Sequence, residues 1–202
     1  NHQPPTLLAM KLLKPAAAGF TLIELMVTLA IAAVLLMVAA PSMVAFKRNS
    51  ELTSLSNTLL SAVNAARSEA LKRNMAAYIT PADKGNSWTV GWIVFVDKNN
   101  NQVFDDEATD QLVFKQASPA SYFSITGSRT AAESPAYIRF DSSGYPKAKN
   151  GGAGNLTFTI TRNDLASKEL YENTRRLVID TVGRIRICKP TSATDTTCKA
   201  TN

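Results

Sequence analysis

Apolar residues follow different patterns in successive parts of the chain. Residues 25–46 form an almost uninterrupted apolar run, which as a helix of about 22 residues spans roughly 33 Å and is long enough to cross a bilayer. From residue 47 to about residue 75, apolar residues recur every three or four positions, with charged residues between them. This spacing is typical of an amphipathic helix. Its apolar positions are Leu52, Leu55, Leu59, Val63, Ala66 and Ala70.

The remainder of the chain, residues 76–202, contains short segments rich in Val, Ile, Thr and aromatic residues, separated by Asn, Asp, Gly, Ser and Pro. Such segments are typical of β-strands joined by turns. The predicted fold class is therefore α+β, with one helix over about residues 20–75 packed on an antiparallel β-sheet domain. The predicted strand segments are residues 76–81, 87–97, 110–116, 121–126, 136–141, 155–162, 175–180 and 184–188.

The segment before the apolar run is basic. It reads MKLLKPAAAG, and it carries Lys11 and Lys14 with no acidic residue ahead of Glu24. By the positive-inside rule, this charge keeps the N-terminus in the cytoplasm and directs the rest of the chain outward. Met10 is the expected translation start, which leaves residues 1–9 upstream of it. Residues 16–19 are small and precede the apolar run, so cleavage there would leave the helix on the mature protein.

The junction GFTLIEL, residues 19–25, resembles the leader junction of type IV pilins and pseudopilins. This resemblance implies a leader of residues 1–19, which a prepilin peptidase removes by cleaving after Gly19 before it methylates the new N-terminus at Phe20. It also implies that residues 20–46 hold the chain in the bacterial inner membrane, with the globular part in the periplasm. The chain would then join other pilin or pseudopilin subunits in a pilus or pseudopilus.

Glu24 lies directly before the apolar run, and Pro41 lies within it. An unpaired carboxylate costs several kcal/mol in an apolar medium, so Glu24 needs a positive partner. In the family that the junction resembles, the corresponding glutamate meets the N-terminal amine of a neighbouring subunit, which implies a role in filament assembly. The alternative is a glutamate that reaches the headgroups by itself. Pro41 removes one backbone hydrogen bond and bends or loosens the helix, and pilins commonly have a proline at this distance from the cleavage point.

Positive charge is concentrated in the last third of the chain. The formal net charge is +6, and from residue 139 onward eleven Lys or Arg residues outnumber six Asp or Glu residues. An anionic partner would therefore bind there. In the segment TVGRIRIC, Gly183 can supply a turn, and strand alternation then places Arg184 and Arg186 on one face. Two such guanidiniums, about 7 Å apart, can bridge successive phosphates. Basic residues nearby in sequence are Arg175, Arg176 and Lys189.

The residues Gly183, Arg184 and Arg186 resemble the DNA-binding motif of FimT-type minor pilins, which take up DNA in natural transformation. Contacts to phosphates carry no sequence information, so binding to double-stranded DNA would be non-specific and salt-dependent. The alternative is an ordinary solvated strand face.

The order of long helix, GWIVFVDKNNNQVFDDE, further strands and a C-terminal RRLVIDTVGRIRIC resembles the FimT and GspH branch of minor pilins and pseudopilins. The first functional hypothesis is a minor pilin of a type IV pilus that binds DNA. The second is a purely structural subunit, either a minor pilin for pilus assembly or a GspH-like pseudopilin of a type II secretion system.

The remaining candidate chemistry is limited. Cys188 and Cys198 are the only cysteines, and outside the cytoplasm two such residues favour one disulfide over two free thiols.

Residues 97–110 have the alternating oxygen ligands of a calcium loop, but Gln102 stands where that loop needs Gly and Ala108 where it needs Glu. A plain hairpin tip is therefore preferred, and we expect no metal or other cofactor. The only histidine, His2, lies in or before the leader, so we predict that the protein is not an enzyme.

Overall fold

A computed structural model gives the structure of the chain and describes residues 19–165, 171–192 and 194–199. The predicted leader, with its start at Met10, therefore lies outside the described residues except for Gly19. The chain divides into two compact units, Asn1–Val44 and Ala45–Asn202.

Helix α1 runs over Leu22–Arg73 and confirms the predicted long helix. At its start, the Thr21 hydroxyl oxygen accepts a hydrogen bond from the backbone N–H of Glu24 at 3.2 Å, which is the arrangement of a helix N-cap. At its end, Asn74 adopts a left-handed conformation with φ 55°. This conformation is a common helix terminator.

The first unit contains the apolar part of α1. Its described residues, 19–44, are all exposed. By length and composition, α1 qualifies as a candidate membrane span. Pro41 lies inside the helix, which continues through it.

The second unit contains two antiparallel sheets. Within the described residues, each sheet has four strands, in the order β3-β2-β1-β5 for the first sheet and β4-β6-β7-β8 for the second. Each predicted segment overlaps one strand, with bounds that differ by one or more residues. The strands are β1 (Ala77–Pro81), β2 (Trp92–Val96), β3 (Gln111–Gln116), β4 (Phe123–Gly127), β5 (Ile138–Phe140), β6 (Leu156–Arg162), β7 (Thr174–Ile179) and β8 (Ile185–Cys188).

The segment 87–97 is not one continuous strand, which corrects its predicted extent. Trp88–Val90 forms a 3-10 turn. Gly91 follows it with φ +89°, and this conformation interrupts the extended backbone. A Cβ at Gly91 would lie only 2.2 Å from the carbonyl oxygen of Gln116, so glycine is required there. The sequence of the turn Trp88–Val90 is as apolar as that of a strand because Trp88 is buried in the core.

The core of the second unit lies between the amphipathic part of α1 and the inner faces of both sheets. Leu52, Leu59 and Val63 on the helix are fully buried. They belong to the face that the three- and four-residue spacing predicted. On the second sheet, alternation sends one set of side chains into this core and the other set to the outer face. Of the predicted basic residues, that outer face carries Arg176 and Arg186.

Candidate functional site

Strand β8 forms an edge of the second sheet and carries the predicted basic motif. It pairs with β7 so that Cys188 lies opposite Arg176 and Arg186 lies opposite Val178. Ile185 and Ile187 pack against the core, so the predicted alternation is correct within the strand. Arg186 and Arg176 therefore lie on the outer face of the sheet, whereas Arg184 precedes the first strand residue.

The turn before β8 is at Gly183, as predicted. Its backbone N–H donates to the carbonyl of Asp180 at 2.8 Å, and its φ is +79°. Arg67 on α1 fixes this turn, because its Nη1 donates to the Gly183 carbonyl at 2.6 Å and its Nε to the Gly144 carbonyl at 3.0 Å. Nothing in the sequence pattern distinguished Arg67 from the other charged residues of the helix.

Arg186 is engaged in internal contacts. Its Nη1 forms an ion pair with Asp180 at 3.0 Å, and its Nη2 donates to the carbonyls of Thr197 at 3.3 Å and Lys199 at 2.9 Å. Its side chain is 29% exposed. The guanidinium of Arg186 therefore braces the C-terminal loop, and its contact with DNA stays a prediction.

Arg175 and Arg176, the basic residues of β7, are less exposed than Arg184 and Lys189. Arg176 is 8% exposed, and its Nη1 donates to the carbonyls of Asp195 at 3.2 Å and Cys198 at 3.5 Å. Arg175 is half-buried and donates to the side chain of Asn49 on α1, and this burial lowers the pKa of its guanidinium. Both arginines therefore make contacts inside the fold.

Arg184 and Lys189 are exposed. Within the part of the chain that the structure describes, neither side chain has a hydrogen bond or ion pair. These two residues flank β8, with Arg186 between them. They are the members of the predicted basic set that solvent can reach freely.

The disulfide between Cys188 and Cys198 is present, with a Cα–Cα distance of 5.8 Å, which confirms the predicted pairing. The loop that it closes is organised by the carboxylate of Asp195. That carboxylate accepts hydrogen bonds from the hydroxyls and backbone N–H groups of Thr191 and Thr197. The Thr197 hydroxyl in particular holds the pKa of Asp195 well below its usual range. The predicted site residues do not include Asp195, although an Asp between threonines is a known turn signal.

Residues 97–110 connect β2 to β3, which pair as an antiparallel hairpin. The buried carboxylate of Asp97 accepts the backbone N–H groups of Asn101 and Gln102 at 3.2 and 2.9 Å. The buried carboxylate of Asp110 likewise accepts backbone N–H groups from the same loop. These acidic side chains therefore hold the hairpin tip in shape.

The predicted processing residues lie at the described N-terminus. Gly19 and Phe20 precede α1 and are exposed, and Glu24 lies in the first helical turn. An apolar N-terminal helix preceded by this junction, together with an antiparallel α+β domain, defines a pilin-like protein.

Family models agree with this class. The model described as type II transport protein GspH matches residues 55–183, and the model of the prokaryotic N-terminal methylation motif matches residues 14–40. The chain belongs to the GspH family. It is thus a protein of the minor pilin and pseudopilin class, and its methylation motif implies processing by a prepilin peptidase and assembly with other pilin-like subunits.

Solved structures include two similar chains. The crystal structure of the type IV minor pilin FimU from Pseudomonas aeruginosa (strain PAO1) has 22% identity and a TM-score of 0.52, and the alignment covers 73% of this chain and 98% of that one. The minor pseudopilin EpsH from the type 2 secretion system of Vibrio cholerae has 11% identity and a TM-score of 0.48, with 70% and 99% covered. The FimU comparison supports the fold. Comparison with curated proteins gave no match.

Proposed function

We propose that the protein is anchored in the inner membrane by residues 20–46, with its second unit in the periplasm, and then assembles as a minor subunit of a pilin-type filament. The observation that carries this proposal is the surface of α1. Its large apolar side chains from Leu22 to Phe46 are half to mostly exposed. Burying one such side chain contributes about 1.5–3 kcal/mol, so lipid or other subunits must cover them.

The N-terminal junction supplies a specific assembly contact. Cleavage after Gly19 creates a positively charged amine at Phe20, and Glu24 lies in the first helical turn. An amine and a carboxylate on adjacent helices neutralise each other in an apolar interior. Pairing of Glu24 with the amine of a neighbouring subunit would therefore fix the stagger between helices. Pro41 would let the apolar part of the helix bend or loosen during packing.

The test uses the full-length chain in a host that supplies a prepilin peptidase. The intact mass of the membrane-extracted protein is expected to begin at a methylated Phe20. Gly19→Val should leave the leader attached. Glu24→Gln should be cleaved normally but be absent from sheared filaments, whereas Glu107→Gln, in an exposed turn, should be incorporated. An uncut wild-type chain, or filaments that contain Glu24→Gln at wild-type levels, would contradict the proposal.

A second function, non-specific binding of double-stranded DNA, is supported by the exposure of Arg184 and Lys189 on either side of β8. Both are cations that can reach the phosphate backbone, and such contacts drive salt-dependent binding. The side chain of Arg186 is only 29% exposed. Its main contribution is therefore to hold the C-terminal loop beside Arg184 and Lys189. The purely structural role in a pilus or a type II secretion system is the alternative.

A gel-shift titration of the full-length chain in neutral detergent separates these alternatives. Arg184→Glu/Lys189→Glu should weaken DNA binding about tenfold or more and reduce the salt slope of log K by about 1.8, the value for two phosphate contacts. Lys98→Glu/Lys115→Glu makes the same charge change on exposed residues elsewhere and should bind more tightly than the first variant. If wild type binds no DNA at low salt, or both variants lose binding equally, the structural role without DNA remains.

A further inference from the structure

The outer face of the second sheet holds a cleft of about 330 Å³. Threonines form its floor. Thr126 on β4 lies opposite Thr159 on β6, and Thr159 in turn lies opposite Arg176 on β7. The described lining residues include no acidic side chain. They are Thr126, Gly127, Ser128, Arg129, Thr157, Thr159, Arg176 and Lys199.

Arg176 brings a buried positive charge to this cleft. It is more than nine-tenths buried, and its guanidinium donates to two neutral backbone carbonyls. Within the described residues, no carboxylate forms an ion pair with it. The nearby Asp195 carboxylate is occupied by threonine hydroxyls and backbone N–H groups. A buried cation with only neutral partners keeps much of its desolvation cost, which a bound anion would offset.

Two further cations, Arg129 and Lys199, line the cleft. Arg129 has φ +53°, an unfavourable conformation for a side chain of its size, and its Nη1 donates to the Asn155 side-chain oxygen at 2.9 Å. The backbone carbonyl of Lys199 accepts a hydrogen bond from Arg186 at 2.9 Å. The fold therefore fixes the backbone positions from which both side chains reach the cleft.

We propose that this cleft binds a small phosphate-class oxyanion. The guanidinium of Arg176, the ammonium of Lys199 and the hydroxyls of Thr126 and Thr159 offer donors to one multi-oxygen anion, and Arg129 adds positive charge to the same lining. Such donors suit phosphate and diphosphate groups better than a single carboxylate. A free phosphate compound and a phosphate of a nucleic acid offer the same chemistry. The cleft does not include Arg184 or Lys189, so this proposal is independent of DNA binding through those residues.

The direct test is calorimetric titration of the full-length protein in neutral detergent at low salt, with inorganic phosphate and pyrophosphate as probes. Saturable binding of one anion per chain is expected. Lys199→Glu and Arg129→Gln should each weaken it about tenfold, as expected for loss of a charge-assisted contact. Lys189→Glu makes the same charge change as Lys199→Glu outside the cleft and should stay within about twofold of wild type. These variants leave Arg176 and its loop contacts in place.

Three results would overturn the proposal: no saturable binding by wild type, equal weakening by Lys199→Glu and Lys189→Glu, or unchanged binding in both cleft variants. Competition with duplex DNA then identifies the source of the anion. In the Arg184→Glu/Lys189→Glu background, displacement of pyrophosphate by DNA supports the cleft as a site for a nucleic-acid phosphate. Retention of pyrophosphate supports it as a site for a free phosphate compound.

Discussion

The guanidinium of Arg186 and the carboxylate of Asp180 form an ion pair at 3.0 Å across the turn that contains Gly183. The same guanidinium holds the carbonyls of Thr197 and Lys199. An arginine that the motif suggests as a DNA ligand is thus also a brace between the turn and the disulfide loop. Loss of DNA binding after its replacement would therefore not by itself demonstrate a contact to DNA.

Replacing each partner of this pair separates the two roles. Arg186→Gln should lower the free energy of unfolding by about 1–2 kcal/mol, because it removes a charge-assisted set of hydrogen bonds. Asp180→Asn should cost about 1 kcal/mol but leave the guanidinium in place. Urea unfolding and DNA titration are measured on both variants. If Arg186 binds phosphate directly, Asp180→Asn tightens DNA binding, whereas a brace alone predicts no gain.

A substitution at Gly183 tests how closely the turn before β8 packs against helix α1. A Cβ there would lie 2.9 Å from the Gly144 carbonyl and 3.1 Å from the Arg67 guanidinium carbon. Gly151 is a matched control, because its φ is +85° and nothing lies within 4 Å of a Cβ at that position. Gly151→Ala should cost about 1 kcal/mol from the left-handed conformation alone. Gly183→Ala should cost about 1 kcal/mol more, measured by thermal unfolding. Equal costs would show that the turn can move away from Arg67.

Arg162 connects the second sheet to α1. Its Nη1 lies 2.6 Å from Glu51 on the helix, and its other nitrogens hold Asp164 at 2.8 and 2.9 Å. The side chain is 6% exposed, so Arg162→Met removes a buried charge from two carboxylates.

We expect a loss of about 2 kcal/mol of unfolding free energy in Arg162→Met, below the range for fully buried pairs because the carboxylates keep some solvent contact. Lys72→Met breaks the exposed pair with Glu69 and should cost less than about 0.5 kcal/mol. Chemical denaturation of the two variants gives the comparison, and a similar small loss in both would mean that Arg162 does not hold the sheet to the helix.

Stability should fall at acidic pH. The Arg162 guanidinium lowers the pKa of the Glu51 and Asp164 carboxyls, and hydrogen bonds lower that of Asp195. Because the folded pKa of each carboxyl is below its unfolded pKa, the unfolded chain binds more protons than the folded chain as pH decreases. The stabilisation is therefore present above the unfolded pKa values of about 4 and is lost as pH falls through the folded values.

Urea unfolding measured between about pH 2 and 7 should show this loss below about pH 4. Asp195→Asn should be less stable than wild type at neutral pH and should have a shallower pH dependence. An unchanged slope in Asp195→Asn would show that its loop contacts do not contribute to the acid sensitivity.

Much of this protein follows from short-range patterns. The apolar run, the three- and four-residue spacing and the strand segments each predict an element because burial against a neighbour repeats with the period of that element's own backbone. The two cysteines allowed one intramolecular pairing, and the junction at Gly19 is a contiguous motif. The exception at Trp88 arose because a buried 3-10 turn is as apolar as a strand.

The tertiary structure decided which charged side chains remain available. Arg67 meets Gly183 across 116 positions and Arg162 meets Glu51 across 111, so no local pattern identifies these pairs. Alternation correctly placed Arg186 on the outer face, but the loop that covers that face returns from beyond Cys188. The sequence sets which face a side chain occupies, because that depends on backbone period. The charge partner of a side chain depends on which distant segments fold against that face, and only the tertiary structure determines those segments.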